Sequence, residues 1–242
     1  MKEKAANLHK RLQRKVGEAL GTFGLIERGD RILIGLSGGK DSLALLDLLG
    51  ERMTRSGGYF EVEALHVRMR GVDYESDTAY LEQMAARYHI PLHVVETGFE
   101  PDRNEKRTPC FLCSWHRRKQ LFEQAQLLHC NKIALGHHLD DLLRTAMMNL
   151  TFNGTFSTMA VKQPYRKMPL TIIRPLALIP ESDLRLWAEL QHYQPVRKIC
   201  PHDRETNRTH IENVLQEMER LNPDYRSNFL RALQRRSADT QP

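Results

Sequence analysis

The chain has 242 residues, with 36 Lys plus Arg against 30 Asp plus Glu, a formal net charge of +6, 40% apolar and 27% charged residues. That length supports one large or two small domains with a proper core, and that composition excludes general disorder. The N-terminal MKEKAANLHKRLQRK lacks the apolar stretch of a signal peptide, and no window offers the roughly 18 uninterrupted apolar residues of a membrane span, so a cytoplasmic protein without a membrane partner is expected.

Residues 7–24 read as a basic amphipathic helix, with Leu8, Leu12, Val16, Ala19, Leu20 and Phe23 along one stripe and His9, Lys10, Arg11, Arg14 and Lys15 around the rest. After Gly29-Asp30 comes RILIGL, a short apolar run typical of a buried parallel strand, and SGGKDSLALLDLLGERM then turns through glycines into a helix. The alternation repeats. VEALHV is a strand, Ser76 to Tyr88 a helix with Ser76 or Asp77 as N-cap, PLHVVE a strand, Ser114 to His129 a helix and KIALG a strand, with a further helix from near Leu139. Such alternation predicts an α/β fold, a doubly wound parallel sheet with helices on both faces and ligands at the carboxyl ends of its strands. From Thr151, TFNGTFSTMAVKQPYRKMP reads as irregular; TIIRPLALI and a helix near Glu181 to His192 follow. Asn207 to Arg235 reads as two helices broken at Asn222-Pro223. Three parts are expected: a helical extension over 1–28, the α/β unit over 29–200 and a helical tail over 201–242.

LSGGKDS sits where a buried strand opens into a helix. Two adjacent glycines let the backbone bring N–H groups close to an anion, and the helix N-terminus adds favourable partial charge. Ser37 and Ser42 supply hydroxyls, and Asp41 is placed to hold magnesium against phosphate. The Walker A spacing would require glycine at Ile34 and Ser or Thr at Asp41, and the Rossmann GxGxxG is absent. The loop instead resembles the SGGxDS pyrophosphate loop of the ATP-pyrophosphatase superfamily, whose members cleave ATP between its α and β phosphates and adenylate a substrate.

LGHHLDDLLRT, Leu135 to Thr145, leaves a second strand for a second helix. Gly136 permits close backbone approach, His137 and His138 can position a substrate, and Asp140 and Asp141 can reach magnesium or cap the helix. Two of the four cysteines, Cys110 and Cys113 in TPCFLCSW, lie just before a helix carrying Arg117, Arg118 and Lys119, surroundings that favour thiolate. Cys200 is the third candidate ligand, in KICPHDRETNR, while Cys130 reads as a small buried hydrophobe. Three thiolates can hold an iron–sulfur cluster with one iron open, zinc can be completed by His116 or His202, and two of the thiols can pair as a disulfide or carry a persulfide. The CxxC spacing alone does not choose among these.

Taken in order, LHKRLQRKVGEAL, LIERGDRILIGLSGGKDSLALLDLL, CFLCSWHRRKQLF, KIALGHHLDD and IRPLALIPESDL resemble the tRNA 2-thiocytidine synthetase family across most of residues 8–200. The resemblance implies an enzyme that adenylates the C2 oxygen of a tRNA anticodon-loop cytidine at position 32 and replaces it with sulfur. It implies Cys110, Cys113 and Cys200 as ligands of a [4Fe–4S] cluster, with ATP and Mg2+ as the other cofactors. Well-known members carry a second cysteine pair near the later ligand, where this chain has only ICPHDRETNR.

On this reading Ser37, Gly38, Gly39, Lys40, Asp41 and Ser42 hold the pyrophosphate, Asp41 with Asp141 holds magnesium, and Val67, Met69 and Gly136 border adenine and ribose. Lys40, His137 and Arg174 stabilise developing charge. The N-terminal helix, Arg117, Arg118, and Arg204, Arg208, Arg226, Arg231, Arg235 and Arg236 of the tail are candidate RNA contacts, with Trp115 a base-stacking candidate that in most chains would be core. A sulfur donor such as a cysteine desulfurase or sulfide, and a homodimer, complete the expected partners. Sulfur or nitrogen transfer to a small molecule, thiolation of another tRNA base, and a non-enzymatic nucleotide sensor holding zinc or iron–sulfur are the competing readings.

Overall fold

The computed structural model describes residues 2–71, 73–74, 78–99, 108–165, 168–196, 198–199 and 207–239. In chain order the elements are α1 (Lys2–Thr22), β1 (Asp30–Gly35), α2 (Lys40–Arg55), β2 (Phe60–Met69), β3 (Asp73–Tyr74), α3 (Ala79–Ala86), β4 (Leu92–Thr97) and α4 (Pro109–Leu127). They continue with β5 (Lys132–Ala134), α5 (Leu139–Asn153), β6 (Lys162–Pro164), β7 (Thr171–Ile173), α6 (Glu181–Leu190), β8 (Lys198–Ile199), α7 (Asn207–Leu221) and α8 (Tyr225–Asp239).

The main sheet runs β4-β2-β1-β5-β7-β6, parallel except for β6, which pairs antiparallel with β7. The chain winds outward from β1 through β2 to β4, then returns to the other side of β1 for β5 and β7. The direction of winding therefore reverses between β1 and β5. That is where an open α/β sheet leaves a crevice, because the connections on either side run to opposite faces.

Side-chain alternation along β1 divides the core. Ile32 and Ile34 face a cluster built with α1, α2, α3 and α6, while Leu33 joins Leu65, Ile133 and Ala125 of α4 on the other face. In α1 the predicted stripe is part of the larger cluster, with Leu8, Leu12, Val16 and Ala19 all buried. Two of its cations hold it there. Arg11 grips Asp183 of α6 through two hydrogen bonds of 3.0 and 2.6 Å, and Lys15 Nζ donates to Leu178 O at 3.0 Å.

Three expectations change. α4 begins at Pro109 instead of Ser114, because Thr108 caps it by accepting from Phe111 N at 3.3 Å and Pro109 brings a helical φ to the first position. The stretch from Thr151, expected to be irregular, finishes α5 and supplies β6, whose partner lies across a turn and leaves no periodic signal. Trp115 is exposed instead of core. The break at Asn222-Pro223 falls where proline removes a helix donor, between α7 and α8. Ile211, Leu215 and Tyr225 of these helices pack on Leu139 and Leu143 of α5. The proposed caps Ser76 and Asp77 lie outside the described residues.

One buried carboxylate fastens three segments of the larger cluster. Asp47 of α2 accepts from Tyr88 OH, from Tyr193 OH at 2.9 Å and from Trp187 Nε1 at 3.3 Å. Burial, and then the charge of Asp47, push both tyrosine hydroxyls well above their ordinary pKa, so they remain donors at any neutral pH. Asp47→Ala takes the acceptor from the Tyr88 and Tyr193 hydroxyls, while Trp187 Nε1 keeps Tyr193 OH at 3.0 Å, and is expected to cost about 2–4 kcal/mol in urea unfolding, against about 1 kcal/mol for Tyr88→Phe.

Candidate active site

The SGGKDS loop hangs from the end of β1. Leu36 N donates to Leu65 O at 2.8 Å, and the buried His66 places Nδ1 2.7 Å from Leu36 O, so the loop leaves from a fixed point. His66 was not singled out from the sequence, where the one signal was a histidine inside an expected strand. Ser37 and Ser42 brace the turn: Gly38 N donates to Ser42 Oγ at 3.1 Å, Gly39 N to Ser37 Oγ at 3.3 Å, and Ser42 Oγ donates to Gly39 O at 2.9 Å. Gly39 caps α2 with no side-chain hydrogen bond, so the first-turn N–H groups of Lys40, Asp41 and Ser42 have no intrahelical acceptor and face an external one. An anionic phosphate group matches that donor set.

Gly38 has φ +83°, and a Cβ there would lie 2.6 Å from Val196 Cγ2. Val196 N also donates to Gly38 O at 2.9 Å, which turns that carbonyl away from the anion side of the loop. Val196 belongs to no motif, and only tertiary contact reveals it. A second glycine joins the two strand-end loops. A Cβ on Gly136 would stand 3.1 Å from the backbone C and O of Asp41 and the backbone N of Ser42. Even a methyl group there would push the first turn of α2 back by a few tenths of an ångström.

Around this junction charges alternate. Lys40 Nζ lies 3.0 Å from Asp41 Oδ1 and 2.9 Å from Glu181 Oε1, at the start of α6. Burial opposes the charge on Lys40, but the bonds to Glu181 and Asp41 outweigh it and raise its pKa. Burial likewise works against ionised Glu181, and Lys40 more than compensates, holding that carboxyl at about 2. Asp141 meets Arg144 at 2.8 Å and accepts from His138 N at 3.1 Å, capping α5. His138 is buried, with Nε2 3.4 Å from Asp141 Oδ2 and 4.0 Å from Asp41 Oδ1. Asp140 lies on the other side of His138, with Oδ2 3.9 Å from Nδ1. One of its oxygens accepts from Glu181 N at 2.6 Å and the other from Arg226 Nε of α8 at 2.7 Å.

His137 is pushed down to about 4 by burial and by the nearby Arg174 guanidinium, so it is a neutral imidazole at pH 7. Its buried Nδ1 has no hydrogen-bond partner among the described residues, as expected of an atom left for a ligand. Arg174 is itself buried and donates to Ala160 O, a packing role that still leaves its charge beside His137. Val67 and Met69 end β2, next to β1. Val67 packs with the smaller cluster and Met69 is buried.

Cys110 and Cys113 stand on the first turns of α4, inside the helix and not before it as the sequence suggested. Three residues apart, they share the N-terminal end of the helix, where its dipole is positive. Cys130 is buried and its thiol is raised to about 11 by burial, in keeping with an inert core residue. A cavity of about 210 Å³ lies between α4 and the sheet, lined by Ser114, Arg117, Arg118, Leu121, Leu135 and Ile172 among others. It spans from the turn after Cys113 to the residue before Gly136. Cys200, His202 and Arg204 lie outside the described residues, as do the side chains of Arg208, Arg235 and Arg236.

A PP-loop domain model matches residues 8–218. The tRNA-cytidine(32) 2-sulfurtransferase of Herminiimonas arsenicoxydans is 35% identical over 229 residues, 93% of this chain and 72% of that protein. The chain belongs to this family of PP-loop proteins. The enzyme of the same name from Nitrosospira multiformis is 34% identical over 233 residues, 95% of this chain and 78% of its own. Among solved structures, the U34-tRNA thiolase NcsA from Methanococcus maripaludis with its [4Fe–4S] cluster is similar at a TM-score of 0.77 and 26% identity, over 96% of this chain and 79% of that one. Family membership accounts for the order of the motifs, and the structure adds His66, Val196 and Glu181 to the residues that shape the site.

Gly136→Ala forces the two loops apart at backbone level and is expected to raise the KM for ATP about tenfold or more, measured by initial rates. Val196→Pro, which deletes the N–H on Gly38 O, should move KM in the same direction while leaving the urea midpoint nearly unchanged. Glu181 has a folded pKa below its ordinary 4.5, so its stabilising contribution is complete above that value and is lost as pH falls towards about 2. Urea midpoints of Glu181→Gln should therefore fall less steeply than wild type between pH 4.5 and pH 2.

Proposed function

We propose that this chain is an ATP-dependent tRNA sulfurtransferase that converts the anticodon-loop cytidine at position 32 to 2-thiocytidine. The observation that carries the reading is the meeting of two strand-end loops at the switch point, one of them opening a helix without a side-chain cap, beside a helix whose first turns present two cysteines. In the first step the cytosine C2 oxygen attacks the α-phosphorus of ATP and pyrophosphate leaves. In the second, sulfur at the oxidation level of sulfide attacks C2, and the C–O bond breaks with AMP as leaving group. The exchange is redox-neutral.

This chain's share is positioning and charge. The N–H groups of Lys40, Asp41 and Ser42, with Ser37, Gly38 and Gly39 shaping the turn, hold the pyrophosphate. Lys40 neutralises the departing charge by exchanging Glu181 for phosphate oxygens. Asp41 and Asp141, whose carboxylates both face His138 Nε2, hold Mg2+ against it. Neutral His137 donates or accepts one hydrogen bond at the reacting carbonyl, with Arg174 adding positive potential. Val67, Met69 and Gly136 border the nucleoside. Cys110, Cys113 and Cys200 would hold a [4Fe–4S] cluster, which would supply iron able to bind the incoming sulfur. The sulfur comes from a cysteine desulfurase or as sulfide, in the cytoplasm, and the working form is a homodimer.

The test is anaerobic purification with metal analysis, followed by incubation with unmodified tRNA, ATP, Mg2+ and sulfide. About four irons per chain and formation of 2-thiocytidine with equal AMP are expected. Cys113→Ala and Cys200→Ala should lose iron and thiolation, and Cys130→Ala should lose neither. Zinc in place of iron, pyrophosphate release indifferent to tRNA, or thiolation at a uridine would each overturn the corresponding part.

A further inference from the structure

The outward side of the cysteine helix carries a second feature. Phe111 and Trp115 are one turn apart, so they share a stripe of α4, and they are 49% and 45% exposed. On the next turn Lys119 places Nζ 5.7 Å from the centre of the Trp115 ring while also lying 3.6 Å from Glu123 Oε1. Arg118 beside it is exposed. The His116 ring meets Trp115 edge-on at 4.8 Å and stacks on Phe99 at 5.7 Å, which limits how the indole can turn. Two large rings turned outward with cations along the same helix are unusual for a surface, since apolar side chains of this size normally finish in a core.

We propose that this stripe of α4 is a stacking platform for unpaired nucleotides of the tRNA anticodon loop, with bases on Trp115 and Phe111 and backbone phosphates near Lys119 and Arg118. Base faces are free only in single-stranded RNA, because a duplex keeps them stacked on one another. An aromatic face accepts any base, and an adjacent cation complements the phosphate that comes with it. The same helix carries the thiols, since Cys110 and Phe111 are neighbours and Cys113 is two residues from Trp115. A loop stacked here thus presents its next nucleotide to the sulfur-bearing end of α4. The inference rests on the tRNA reading above and adds which face receives the RNA.

The chain has two tryptophans, and Trp187 is buried and hydrogen-bonded within the Asp47 group. A base stacked on Trp115 therefore quenches one of two well-separated emitters. The experiment titrates the full-length protein, purified without oxygen, with an unmodified anticodon stem-loop RNA, following tryptophan emission and, separately, RNA anisotropy. Wild type is expected to bind and to lose emission. Trp115→Phe should bind within about twofold without the quench, and Trp115→Ala and Phe111→Ala should each weaken binding by about 5- to 100-fold. Lys119→Ala should weaken all RNA loops alike and lower the salt slope by about one. Absorbance near 400 nm, equal to wild type, checks that each variant keeps its cluster. Unchanged emission on binding, or equal affinity of Trp115→Ala, overturns the platform. Failure of wild type to bind any tRNA or stem-loop overturns the tRNA reading itself.

Discussion

The backbone contact between Gly136 and the first turn of α2 is the constraint on which the site depends. At 3.1 Å from a Cβ that glycine does not have, the peptide of Asp41 and Ser42 lies directly against the loop leaving β5. β1 and β5 are neighbours in the sheet and their following helices run to different parts of the fold, so their loops would otherwise diverge. The missing side chain brings two helix N-termini together, and with them two sets of backbone donors and the carboxylates of Asp41 and Asp141. Gly38 serves a related purpose on the other side of the loop, where its positive φ and the Val196 contact fix the orientation of a peptide that no sheet hydrogen bond holds.

Concentrating carboxylates at one point is costly unless each has a partner, and the partners come from distant parts of the chain. Asp140 uses its two oxygens to cap α6 and to hold Arg226 of α8, so the start of Glu181's helix and the C-terminal helix pair are located by one buried side chain. Arg144 joins Asp141 to Glu212 of α7 at 2.7 Å. The tail is thereby tied to the same loop that carries His137 and His138. Arg226 and Arg144 belong to this internal framework, which leaves exposed cations such as Arg118 and Lys119 better suited to meet a polyanion.

The network also fixes the lysine of the SGGKDS loop. Glu181 and Asp41 hold Lys40 charged in a half-buried place. The ammonium is thereby fixed between the first turns of α2 and α6, with little freedom left to reorganise.

The order of strands and helices, the two glycine loops at strand ends and the inert character of Cys130 were legible in the sequence, because apolar periodicity and glycine placement are local signals. The start of α4 was misplaced, since a threonine cap and a proline outweighed the helix-poor look of PCFLC. The role of Asp140 was open in the sequence, as DD at a helix start reads equally as a cap or a metal site; only the approach of α6 and α8 assigns it. His66, Val196 and Glu181 were invisible for the same reason, each acting across more than 25 residues on a loop it does not adjoin. The sequence by itself determined which chemistry-bearing groups would stand at the carboxyl edge of a parallel sheet. Which of them face one another, and which merely hold the others in place, was decided by tertiary packing, because hydrogen-bond partners separated along the chain are chosen by how helices and loops come together and leave no periodic trace.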